Sequence, residues 1–179
     1  MRIVSGKYKG RRFNPPKNLP VRPTTDFAKE GLFNILRNRM QIEGSNVLDL
    51  FAGTGNMSLE FASREANRVV SVDQNRKCIQ FIEQISKQLE IDVIQSYSSD
   101  AEKYLEKCSS RFDLIFADPP YAYTNGLKLW NLITEKELLE PDGYFILEHG
   151  KDQDFEGEEG FLFSRKFGNV NFTFFQSES

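Results

Sequence analysis

The stretch Asn46-Val47-Leu48-Asp49-Leu50-Phe51-Ala52-Gly53-Thr54-Gly55-Asn56 passes from an apolar run into a glycine-spaced turn. A run of this length bounded by turn residues reads as a buried strand over Asn46–Phe51. Gly53 and Gly55 let the backbone turn sharply and approach a ligand closely. Taken alone, a Gly-x-Gly serves a dinucleotide site or a plain tight turn equally well. The dinucleotide pattern wants a third glycine or alanine where Ser58 stands, which strains that reading.

Outward from this turn, strands and helices alternate. A helix is expected over Met57–Ala66, a strand over Arg68–Asp73, and a helix over Arg76–Leu89 with Ile79, Ile82, Ile85 and Leu89 facing inward. A third strand follows at Val93–Tyr97, a short helix at Ala101–Lys107, a strand at Phe112–Ala117 and a helix at Leu127–Leu139. Asp142-Gly143 turns the chain into a fifth strand, Tyr144–Glu148. Phe161–Phe167 and Val170–Phe175, around Gly168-Asn169, read as a hairpin. The acidic stretch Asp152–Glu159 reads as a solvated loop. Such alternation implies an α/β fold: a mostly parallel seven-stranded sheet with a C-terminal antiparallel hairpin and helices on both faces.

Upstream, residues 1–23 mix β-branched and basic residues with Pro15, Pro16, Pro20 and Pro23, the pattern of a short hairpin and an extended arm. Thr24–Met40 carries Ala28, Leu32, Ile35 and Leu36 at amphipathic-helix spacing. Thr25 or Asp26 can cap it, and Gly44-Ser45 breaks the chain. Two parts are expected, a basic arm and helix at 1–40 and the α/β domain at 41–179. Charge follows the same division. Residues 1–40 carry ten lysines and arginines against Asp26 and Glu30, a net of +8, whereas residues 41–179 carry 13 basic and 24 acidic side chains, a net of −11. A basic arm on an acidic body suits a polyanion docking at one end, or simply a solvated tail. Cys78 and Cys108 form neither a disulfide framework nor a zinc motif, which points to a reducing cytoplasm. Neither a signal peptide nor a membrane span is expected.

Three carboxylates stand where strands give way to turns. Asp73 ends the second strand twenty residues after Gly53, where a carboxylate can accept both hydroxyl protons of a ribose. Asp100 follows the third strand and suits an adenine amino contact, an N-cap for the helix beginning at Ala101, or both. Asp118-Pro119-Pro120-Tyr121 directly follows the buried run Leu114–Ala117. Consecutive prolines cannot extend a central strand, and Pro119 keeps a carbonyl acceptor without a donor. An exocyclic amine on a nucleobase is a poor nucleophile because its lone pair is delocalised into the ring. The Asp118 carboxylate and the Pro119 carbonyl can each take an amino proton and localise that lone pair, while Tyr121 offers a stacking face. His149, the sole histidine, suits a structural hydrogen bond better than catalysis.

The chain resembles the bacterial small-subunit (16S) rRNA guanine-N2 methyltransferases. The resemblance runs through Arg2-Ile3-Val4-Ser5-Gly6-Lys7-Tyr8-Lys9-Gly10-Arg11-Arg12, Arg22-Pro23-Thr24-Thr25-Asp26, Lys29-Glu30, Asp49–Asn56, Asp118–Tyr121 and Glu148-His149. It implies the Rossmann-like class I methyltransferase fold, and S-adenosylmethionine bound by Thr24, Thr25, Asp49, Phe51, Gly53, Gly55, Asn56, Asp73, Asp100 and Ala101. Asp49 would face the methionine end of that cofactor. It further implies catalysis by Asp118, Pro119, Pro120 and Tyr121, and RNA contacts from Lys7, Lys9, Arg11, Arg12, Arg22 and Tyr121. The partner would be 16S rRNA or an assembling small ribosomal subunit, in the cytoplasm. No metal is required, because a sulfonium is already a good leaving group. One departure stands out: Phe27 occupies a position where an arginine is expected, with Lys29 keeping charge nearby. Competing readings are an amino methyltransferase acting on DNA adenine or protein glutamine, a nicotinamide-dependent oxidoreductase, and a non-catalytic RNA-binding assembly factor.

Overall fold

In the computed structural model, which describes residues 1–178, the elements run α1 (Asp26–Arg37), β1 (Asn46–Leu50), α2 (Asn56–Ser63), β2 (Arg68–Asp73), α3 (Arg76–Gln88), β3 (Ile94–Ser98), α4 (Ala101–Lys107), β4 (Phe112–Ala117), α5 (Gly126–Glu135), β5 (Leu139–His149), β6 (Phe161–Phe167) and β7 (Val170–Phe175). Ser179, the last residue of the expected domain, lies outside the described residues. One sheet contains all seven strands in the order β3-β2-β1-β4-β5-β7-β6. The first five are parallel, and β7 pairs antiparallel with both β5 and β6. Strand order therefore reverses between β1 and β4, and a crevice opens outside their carboxyl ends. Phe33, Phe61 and Phe81 pack on one face beneath α1, α2 and α3. On the other, Leu105, Leu129 and Trp130 pack beneath α4 and α5.

Several boundaries fall elsewhere than the residue pattern suggests. Thr25 is the cap of α1, accepting the Ala28 N–H, and the helix stops at Arg37 rather than Met40. β1 ends one residue early because Phe51 turns into the left-handed region, at φ 58°. α2 stops at Ser63 and α5 at Glu135, each shortly before a glutamate of positive φ, Glu65 or Glu137, the conformation that commonly ends helices. β3 begins at Ile94 instead of Val93. Asp142-Gly143 is no boundary: β5 begins at Leu139, and the turn appears as a register shift inside it, opposite Phe112 and Leu114.

The N-terminal hairpin is reduced to a single bridge between Arg2 and Arg12. The reason lies in where its donors go. The Val4 and Ser5 N–H groups donate to the Glu60 carboxylate at 2.9 and 3.0 Å, and the Lys7 N–H donates to the Ser63 carbonyl at 2.7 Å. Ile3, Phe13 and Leu19 enter the same core as α1, so this segment is packed against the body. Lys29 is likewise no surface charge. Its Nζ lies 3.1 Å from Glu60, both side chains fully buried, and also donates to the Arg2 carbonyl and to Asn56 Oδ1. Arg64 completes the network at 3.1 Å from Glu60.

Removing one partner of a buried pair leaves the other charge stranded. Lys29→Met is therefore expected to destabilise the protein by about 3–5 kcal/mol, read from urea unfolding. Replacing Glu60 as well, as Lys29→Met/Glu60→Gln, should recover part of that loss.

Candidate active site

The carboxyl ends of β1, β2 and β4 open onto a cleft of about 700 Å³. Its floor is the turn after β1. There the Gly53 N–H donates to Asp73 Oδ2 at 2.9 Å, and the Asn75 N–H donates to Oδ1 at 2.8 Å. Each Asp73 oxygen thus keeps a lone pair for a ligand hydroxyl. Phe51, held at positive φ, packs its ring 5.2 Å from Tyr123. Backbone held in a sparsely populated region clusters at functional sites.

The expected cofactor residues Thr24, Asp49, Phe51, Gly53, Asn56, Asp73, Asp100 and Ala101 all line this cleft, together with Asp118, Pro119, Pro120, Tyr121 and Arg22. Asp100 also caps α4 through the Lys103 N–H. Thr25 and Gly55 stand outside the lining. Thr25 is occupied as the α1 cap. Gly55 takes φ 78°, and a Cβ there would lie 2.7 Å from Ile82 Cγ1, so it serves the turn and the packing of α3. Lys7, Lys9, Arg11 and Arg12 are exposed but lie away from the cleft, near the far end of α2.

Three carboxyl groups gather beside the Asp118–Tyr121 turn. Ala117 and Leu147 are partners on adjacent parallel strands, so Asp118 and Glu148 follow side by side. Burial, then the neighbouring Glu148 and Asp49, push the Asp118 carboxyl well above the usual range. Burial raises Asp49 to about 7, although Ser58 donates to it at 2.6 Å. Burial also raises Glu148 to about 7, against the bond it receives from the Thr24 hydroxyl at 2.8 Å. Acids crowded in this way favour a positively charged occupant. A sulfonium and an ammonium beside a ribose fit this donor set, with Asp73 for the sugar and the carboxyl cluster for the charge.

Asn75, Ser99 and Tyr123 line the cleft without having been among the expected site residues, and neither was Glu148, which stands behind the lining against Thr24 and Asp118. An acid at the carboxyl end of a parallel strand was the available signal for Glu148. His149 is structural: its ring nitrogens pair with the Gly150 carbonyl at 2.8 Å and the Thr173 hydroxyl at 2.6 Å, and burial lowers its proton affinity. Tyr121 is 83% exposed and donates to Asp152 at 2.9 Å, leaving its ring face open. Among the described residues no group of His, Cys, Asp and Glu could hold a metal ion, and no helix is long and apolar enough to cross a membrane.

The profile of the family described as Conserved hypothetical protein 95 matches residues 1–176. YlbH of Bacillus subtilis, which carries a provisional rRNA methyltransferase name, is 38% identical over 156 residues, covering 85% of this chain and 84% of that protein. Ribosomal RNA small subunit methyltransferase D of Haemophilus influenzae is 32% identical over 160 residues, covering 86% and 80%. Among solved structures, yhhF of Escherichia coli, with a provisional methyltransferase name, superposes with a TM-score of 0.86. It is 26% identical, and 100% of this chain and 98% of that one are covered.

The acid cluster sets a pH dependence. Asp49 and Glu148 bind protons more tightly folded than unfolded, so their contribution to stability is full below about pH 4 and is lost as pH rises through about 7. The melting temperature of the ligand-free protein is expected to fall between about pH 4 and 7 through these groups. Asp49→Asn should remove part of that fall and raise the melting temperature at pH 8. Calorimetric scans of both proteins across this range check it; parallel curves would contradict it.

Proposed function

The chain belongs to the Conserved hypothetical protein 95 family, small-subunit rRNA methyltransferases that use S-adenosylmethionine, and from that premise we propose that it methylates the exocyclic N2 of a guanine in 16S rRNA. The observation that carries this reading is the opening of Asp118-Pro119-Pro120-Tyr121 onto the same cleft as Asp73 and the glycine turn. Bound S-adenosylmethionine supplies an electrophilic methyl carbon on a sulfonium. Gly53 and Asp73 would hold its ribose end, and the carboxyl cluster would face its charged end. Thr24 and Asn56 brace this wall, with Asn56 Nδ2 donating to the Thr24 carbonyl at 3.0 Å.

Toward the base, Tyr121 supplies the stacking face, while the Asp118 carboxylate and Pro119 carbonyl each accept one amino proton. The nitrogen lone pair would then face the donor's methyl carbon, and the proton that the nitrogen loses as it takes the methyl group would pass to Asp118. An aspartate whose proton affinity is raised by burial and by Glu148 is suited to receive it. Ionised Asp118 is favoured once a cation occupies the cleft. Holding nitrogen and methyl carbon roughly 3–3.5 Å apart supplies much of the acceleration, and the guanine must first leave its stack at a cost of a few kcal/mol. Lys7, Lys9, Arg11 and Arg12 would grip phosphates farther along the RNA, at a site the cytoplasm supplies as free rRNA or as an assembling subunit.

Labelled methyl transfer to 16S rRNA and to assembling subunits, followed by nucleoside digestion, is expected to yield N2-methylguanosine. Label in N6-methyladenosine of DNA, or in a protein glutamine, would assign the chain to another amino methyltransferase class. Asp118→Ala should lower the single-turnover rate about 100–1,000-fold with S-adenosylmethionine affinity nearly intact. A variant keeping more than a tenth of the rate would remove Asp118 from the chemistry.

The arm makes a separate prediction. Each phosphate contact to single-stranded RNA contributes a slope of about −0.7 to log affinity against log salt. Arg11→Ala/Arg12→Ala should flatten the slope by up to about 1.4, and high RNA concentration should restore most of the lost methylation. An unchanged slope with full activity would reduce the arm to a packed but non-binding segment.

A further inference from the structure

Away from the chemistry, a line of aromatic and cationic side chains leads off from the cleft rim, with Phe27, Arg165 and Arg39 exposed and Phe163 and Phe167 half-buried against the core. Phe27, Gly31 and Ile35 recur every four residues on one face of α1, and Arg39 stands just past its end. β6 is an edge strand, and Phe163, Arg165 and Phe167 share one of its faces. The two lines meet along their length. At one end the Phe167 ring lies over Gly31, where a Cβ would come within 2.2 Å of it, and meets Phe27 edge-on at a centroid distance of 6.0 Å. At the other, the guanidinium groups of Arg39 and Arg165 lie 4.1 and 4.6 Å from the centre of the Phe163 ring.

Position connects this seam to the active site. Phe27 follows three residues after Thr24, which lines the cleft. The β6–β7 tip lies at the carboxyl end of β5, because His149 pairs with Asn171. Phe27 is 67% exposed, an unusual place for so large an apolar side chain beside a cleft. Neither Arg39 nor Arg165 forms an ion pair among the described residues, whereas the nearby acids Asp26 and Glu30 are both engaged by Arg2. The loop with Asp152, Asp154, Glu156, Glu158 and Glu159 packs instead with the other face of the sheet, through Phe155 and Trp130, and its charge would repel phosphates.

We propose that the seam of Phe27, Phe167, Arg165, Phe163 and Arg39 is a track for the single-stranded RNA flanking the target nucleotide, with Phe27 stacking on an unpaired base next to the cleft. Aromatic faces interleaved with cations are what single strands use: bases stack and phosphates meet positive charge. Phe27 supplies the flat face nearest the cleft. The inference rests on the reading of the chain as an rRNA methyltransferase.

The test uses the full chain and an rRNA fragment that it methylates, alongside the same fragment trimmed of its unpaired flanks. Phe27→Ala should weaken binding of the full fragment about tenfold, within the range for loss of one base stack. Phe27→Trp should keep wild-type affinity, and the trimmed fragment should bind wild type and Phe27→Ala equally. Arg39→Ala/Arg165→Ala should flatten the salt slope by up to about 1.4. S-adenosylmethionine affinity should be the same in all variants. Wild-type RNA affinity in both the Phe27→Ala and the double arginine variants, with methylation of the fragment retained, would overturn the track. So would variants that change only the sedimentation of the protein, which would assign the seam to contact between two copies. Failure of the wild-type enzyme to methylate any rRNA fragment would instead overturn the underlying reading.

Discussion

Lys29 and Glu60 face each other at 3.1 Å with no exposed side-chain surface, and three segments of chain converge on them. Glu60 belongs to α2 and holds the backbone of Val4 and Ser5; Lys29 belongs to α1 and holds the Arg2 carbonyl and Asn56. Two charges taken out of water are tolerated only when each is paired and its remaining hydrogen bonds are satisfied. Satisfying them fixes the N-terminal segment against α2 and fixes Asn56 at the start of that helix. Asn56 in turn holds the Thr24 carbonyl, and the Thr24 hydroxyl reaches Glu148. The cleft wall is therefore continuous with a buried ion pair formed by residues that look like surface charges in the sequence.

The cleft itself works against the stability of the fold. Asp49, Asp118 and Glu148 are buried close together, and each binds a proton more tightly than it would in water. Such crowding is costly in the empty protein at neutral pH and favourable once a cation enters. On the proposed reading, the same cost would distinguish the cofactor from its product, because transfer of the methyl group removes the sulfonium charge. In the proposed reaction the same crowding would raise the capacity of Asp118 to take the proton from the substrate nitrogen.

Charge on the outside is divided just as unevenly. The net negative body would repel RNA if its acids were spread uniformly. Instead the exposed basic groups of the N-terminal segment lie near α2, and an aromatic and cationic seam runs along α1 and β6.

Local physics made much of this legible before any coordinates. Apolar runs closed by glycine-rich turns specify the parallel strands, because a strand buried on both faces excludes polar residues, and the tail hairpin follows from its alternation around Gly168-Asn169. The Asp118-Pro119-Pro120-Tyr121 turn was equally readable, since two prolines cannot continue a central strand. What the sequence could not disclose are relations between distant segments. Lys29 reads as solvated until Glu60 is brought beside it from another helix, and Glu148 reads as an ordinary strand-end acid until β5 is laid against β4. Phe27 reads as a lost arginine until Phe167 arrives over Gly31 from the far end of the chain. Spacing along the chain encodes which face of an element is apolar, whereas the partner of a buried charge or an exposed ring is chosen only when the sheet order and helix packing set which faces meet.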